Sequence, residues 1–117
     1  MEHRNSERKA TSLDAVITCS RFGLLRGRIL DLGLDGLYIS AQTSIVPIGA
    51  AVTVTFQPDQ EICNKCLSVK GQVSHQSLQG FGVEFEDLDP NCREVLLRLL
   101  PRMPSVPMKA ASVLRAF

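Results

Sequence analysis

A chain of 117 residues with 44% hydrophobic content is enough for one folded domain and too short for two. A net charge of +1 excludes a protein that coats nucleic acid through a large basic excess, yet it allows a small anion held by a few placed cations. No run approaches the roughly 18 apolar residues of a membrane span, and Met1 to Lys9 is polar, unlike the basic-then-apolar order of a secretion signal. A cytoplasmic protein with no direct membrane insertion is expected.

In chain order, residues 1–10 lack apolar periodicity and are expected as a flexible arginine arm, with a barrel plus helix over 11–101 and a tail over 102–117. The β-branched run Val16-Ile17-Thr18 predicts a first strand from Asp14 to Cys19, closed by a turn at Arg21-Phe22-Gly23. A second strand is predicted over Leu24–Leu32, a turn over Gly33-Leu34-Asp35-Gly36, and a short third strand over Leu37–Ile39. Ala41 to Gly49, which contains Pro47, reads as a loop.

The next three strands are clearer. Val52–Phe56 sets valines and Phe56 against threonines, and Leu67–Ser74 sets Leu67, Val69 and Val73 against Ser68, Lys70, Gln72 and Ser74. Phe81–Glu86 separates its faces in the same way, and the link at Ser77–Gly80 is short enough for a hairpin. Alternation of this quality means one buried and one wet face, as in antiparallel sheet. One helix follows, with Asp89 as N-cap, Pro90 at the first position, Val95, Leu96, Leu99 and Leu100 as an apolar stripe, and Pro101 at its end. Six strands and one helix make an all-β protein, a barrel being preferred over a sandwich because closure removes exposed edges.

Two patterns carry candidate chemistry. Arg4-Asn5-Ser6-Glu7-Arg8 places two guanidiniums on the arm, able to fold over a phosphate-bearing ligand through bidentate hydrogen bonds or to stack on a purine. Asp31-Leu32-Gly33-Leu34-Asp35-Gly36 offers a carboxylate at a strand end that can accept from the N1–H and N2–H edge of guanine. Its glycines are expected to let backbone come close and to adopt positive φ.

The R-x-x-x-R arm, the D-x-S-x-x-G-like turn and the strand Gly80-Phe81-Gly82-Val83-Glu84-Phe85 before a final helix together resemble the PilZ domain. The resemblance runs from about Arg4 to Leu100. It implies a six-stranded antiparallel barrel with one C-terminal helix, no catalysis, no cofactor, and cyclic di-GMP as ligand. By position, Arg4 and Arg8 would be the arm arginines holding phosphate and guanine, and Asp31, Gly33 and Gly36 would form the guanine-reading turn. Gly33 stands where the motif has serine, which removes a hydroxyl contact worth about 0.5–1.5 kcal/mol. His3 stands where many members carry a further arginine.

The resemblance implies a ligand-controlled adaptor acting on an unidentified partner protein, with no nucleic acid polymer as partner. The alternative is a PilZ-like protein-interaction module that does not bind cyclic di-GMP. A third reading, a small zinc or redox protein, rests on Cys63-Asn64-Lys65-Cys66. Zinc needs about four ligands, and Cys19, Cys92 and His75 would have to supply the rest from scattered places. The four cysteines are expected as reduced thiols, with Cys19 and Cys92 in the core. Arg26 and Arg28 could extend a cationic face or simply form the wet side of their strand. No catalytic arrangement is present around His3 or His75.

Overall fold

The computed structural model describes residues 7–41 and 46–105. Six strands follow in chain order: β1 (Lys9–Cys19), β2 (Gly23–Leu32), β3 (Gly36–Ser40), β4 (Ala51–Phe56), β5 (Leu67–Ser77) and β6 (Gly80–Phe85). They pair antiparallel throughout and close into a barrel in the order β1-β2-β3-β6-β5-β4. The alternation in the sequence becomes the inside and outside of that barrel. Val52, Val54 and Phe56 of β4 and Leu67, Val69 and Val73 of β5 are buried, while Ser68, Lys70, Gln72 and Ser74 are exposed.

Two irregularities matter for function. A register shift between Ile29 and Asp31 in β2 lets Ile29 and Leu32, three residues apart, both enter the core. Asp31 is thereby placed outside the apolar core, opposite Tyr38. A second shift, between Val73 and His75 in β5, brings His75 opposite Gly82. Such bulges re-aim side chains locally and recur beside binding sites.

Helix α1 (Pro90–Leu99) is capped by Asp89, whose carboxylate accepts from the Cys92 amide at 3.4 Å. Cys92, Leu96, Leu99 and the following Leu100 bury into the same apolar cluster as the strands. Val95, expected in that stripe, is only partly buried, and Cys92 takes the inward place. The chain then turns through a short 3₁₀ segment, Leu100–Arg102.

Every strand but β6 is longer than the sequence suggests, β1 and β5 most of all. β1 begins at Lys9 rather than Asp14, because Lys9 pairs with Leu32 and Ala10 with Asp31. β4 reaches β1 only from Ala15, so the first half of β1 is half-exposed and shows little alternation. β5 continues past Ser74 to Ser77.

Candidate ligand-binding site

Arg8 is the last residue before β1, and the pairing of Lys9 with Leu32 and Ala10 with Asp31 sets it over the β2–β3 turn. Its Nη1 donates to Asp31 Oδ1 at 2.9 Å and its Nε to Asp35 Oδ1 at 3.3 Å. The Arg8 side chain is 12% exposed and that of Asp31 4%. Among the described residues, Asp31 is the one charged residue that is buried, and a buried charge persists only when paired and hydrogen-bonded. Burial lowers the proton affinity of Arg8 from its ordinary value, with Asp35 and then Glu84 acting in the opposite sense. The guanidinium stays a cation throughout the accessible range.

The glycines of the turn make the seat for this side chain. A Cβ on Gly33 would stand 3.0 Å from Arg8 Cδ and 3.0 Å from the Glu7 carbonyl oxygen. On Gly36 it would lie 3.1 Å from Arg8 Nη2 and collide with the Val83 carbonyl across the β3–β6 pair. The Gly33 amide donates to the Gly36 carbonyl at 2.9 Å and closes the turn. Close approach, as expected, is therefore the role of both residues. The expected positive φ is not found: among the described glycines it occurs at Gly23 and Gly49 instead.

Arg8, Asp31, Gly33 and Gly36 thus come together, while Arg4 lies outside the described residues. Asp35, a member of the predicted turn but not one of the expected site residues, is a direct partner of Arg8. The signal available was the pair of carboxylates at positions 31 and 35, opposite an arm with arginines at the same spacing.

The strand register extends the site sideways. Asp31 lies opposite Tyr38, Tyr38 opposite Gly82, and Gly82 opposite His75. The Tyr38 and His75 rings stack at 6.1 Å across Gly82, where a Cβ would run into the imidazole. Tyr38 is 7% exposed, and its hydroxyl pairs with the Ser77 hydroxyl at 2.6 Å.

Arg28 is engaged elsewhere, with Asp14 at 2.9 Å and Ser12 at 3.0 Å, and Arg26 is exposed; both belong to the wet face of β2. All four cysteines are free thiols, with Cys19 and Cys92 buried. Cys63 donates to the Lys65 carbonyl at 3.6 Å and Cys66 to Gln57 Oε1 at 3.5 Å. Among the described residues no three His, Cys, Asp or Glu side chains are grouped to hold a metal, and no helix is long and apolar enough to cross a membrane.

The family model of the PilZ domain matches residues 2–102. This chain belongs to the PilZ domain family. Solved structures carry the same fold at low identity. The PilZ domain of YcgR from Escherichia coli, described with c-di-GMP, is 15% identical, with a TM-score of 0.70 and 96% of each chain covered. The inhibitor of motility MotI/DgrA of Bacillus subtilis is 15% identical with a TM-score of 0.71. It covers 87% of this chain, which spans 51% of that protein. The PilZ domain of CeSA from a cellulose-synthesising bacterium is 10% identical with a TM-score of 0.65, covering 80% of this chain and 93% of its own. No curated protein matches the sequence.

Proposed function

We propose that this PilZ domain binds cyclic di-GMP over the turn at Asp31–Gly36 and acts as a ligand-controlled adaptor on a partner protein in the cytoplasm. The observation that carries the reading is the seating of Arg8 across Gly33 against the buried carboxylate of Asp31. It supports a site in which an arm cation and a guanine-reading acid already face each other.

Binding is then an exchange of partners. A ligand phosphate takes Arg8 from Asp31 and Asp35 through charge-assisted hydrogen bonds. The N1–H and N2–H edge of guanine donates to the Asp31 carboxylate and replaces the cation it gave up. Neither buried charge is left without compensation, which is the condition for the exchange to be cheap. Arg4 supplies the second cation. The YcgR domain described with c-di-GMP and the motility inhibitor support a regulatory binding role rather than an enzymatic one. No cofactor and no nucleic acid polymer enters this account.

Chemical-shift mapping tests it. Cyclic di-GMP added to the intact protein should move the amides of Arg8, Gly33 and Gly36 first, and shifts confined to other strands would place the ligand elsewhere. A second reading, a protein-interaction module without nucleotide, is favoured by one observation: Gly33 lacks the motif hydroxyl and the space beside it is filled by Arg8. That reading predicts no shifts at millimolar nucleotide.

A further inference from the structure

After α1 the chain returns to the arm. Arg102 Nη1 lies 3.4 Å from both Asp59 and Glu61, and Met103, partly buried against the core, donates to the Leu100 carbonyl at 3.0 Å. The Ala10 amide then donates to the Pro104 carbonyl at 2.7 Å, and Ser105 forms an antiparallel bridge with Lys9. The Ser105 hydroxyl donates to Glu7 Oε2 and accepts from Lys9 Nζ at 3.3 Å, while Lys9 and Glu7 pair at 3.5 Å. The segment occupies the edge of β1 that β4, which joins only from Ala15, leaves open.

Glu7 and Lys9 are the two chain neighbours of Arg8. One serine, 97 positions further along, therefore engages the side chains of both residues that flank the arginine at the candidate site, and bridges the Lys9 backbone. We propose that Ser105 is a positioning residue for Arg8, and that docking of Met103–Ser105 and capture of ligand by Arg8 are linked with opposite sign. The proposal rests on the reading of the site given above.

The sign follows from the geometry. Arg8 in its seat is nearly buried, and the Glu7 carbonyl lies against Gly33. Offering the guanidinium to a phosphate requires the Glu7–Arg8 backbone to move, and that movement breaks the Glu7–Ser105 contact. A docked Ser105 thus favours the seated arginine, and by reciprocity a bound ligand favours release of Ser105. The post-helical segment becomes the element through which the site reports to the rest of the molecule.

The test combines calorimetric titration of cyclic di-GMP with the Met103 methyl resonance, a reporter outside the arm. Ser105→Ala should tighten cyclic di-GMP by about threefold, the effect of one modest hydrogen bond, and Ser105→Thr, which keeps the hydroxyl, should restore the wild-type value. Saturating ligand should move the Met103 methyl in the same direction as Ser105→Ala does. A ligand-free arm separates this linkage from the receptor reading: Arg8→Ala alone should move the Met103 methyl. Where that variant does not fold, Ser105→Ala moving the Arg8 Nε–H resonance serves instead. If neither residue's substitution is felt at the other, the linkage is overturned whether or not nucleotide binds. If each is felt but cyclic di-GMP never binds, Ser105 still positions Arg8, while the receptor reading and the linkage to ligand both fall.

Discussion

Arg8 Nη1 and Asp31 Oδ1 meet at 2.9 Å, joining a residue at the mouth of the arm to a buried acid of β2. The two partners are not equivalent. Asp31 is fixed in a strand, whereas Arg8 lies at the strand's entry and can return to water. Arg8→Ala should therefore destabilise the protein by about 1–3 kcal/mol, the penalty for a buried group losing one of its hydrogen-bond partners, and Asp31→Asn should cost less. Thermal or denaturant unfolding of the two variants checks the order; equal losses would mean that Arg8 does not shield Asp31.

Gly33→Ser tests the fit of the seat. A Cβ 3.0 Å from Arg8 Cδ forces the arginine to give way, so stability should fall by roughly 0.5–1.5 kcal/mol, as for a small strained insertion. The same change supplies the motif hydroxyl and weakens the competing seated state, so cyclic di-GMP should bind tighter, by about twofold to tenfold. Opposite movements of melting temperature and affinity are the expected outcome. Parallel movements would show that Gly33 and Arg8 do not compete for one space.

Most of the barrel is legible in the sequence because its strands carry one apolar and one polar face, as in Val52–Phe56 and Leu67–Ser74. What escapes pattern reading is where that physics is absent. Lys9–Leu13 belongs to β1 but none of its residues pairs with β4, so no alternation marks it. The role of Asp35 is invisible locally, since an aspartate in a glycine turn is ordinary, and only the fold brings Arg8 to it. The bond from Ser105 to Glu7 spans nearly the whole chain and has no sequence signature.

Acid should loosen the C-terminal segment. The Ser105 hydroxyl, and next the charge of Lys9, hold Glu7 below the ordinary carboxylate range. Its folded-state value therefore lies below the unfolded one. Its contribution to docking is present above the unfolded value and lost as pH falls through the folded value. Exchange of the Ala10 amide, bonded to Pro104, should quicken across that window in wild type and lose this step in Glu7→Gln. A step that persists in Glu7→Gln would assign it to another group.

Thiol reactivity should follow exposure. Burial, then Asp89 and Cys63, raises the Cys92 thiol above its usual range, which leaves less of the reactive thiolate. Cys66, which is exposed, should alkylate first, Cys63 next, and Cys19 and Cys92 only on unfolding. Mass spectrometry of timed alkylation reads the order, and early labelling of Cys92 would show that α1 does not stay packed on the barrel.

Calorimetric titration of cyclic di-GMP into the intact protein, repeated with Arg4→Ala and Arg8→Ala, tests the central claim most directly. Saturable binding that both substitutions weaken is the predicted result. No heat up to high micromolar nucleotide, or binding indifferent to both arginines, would contradict it.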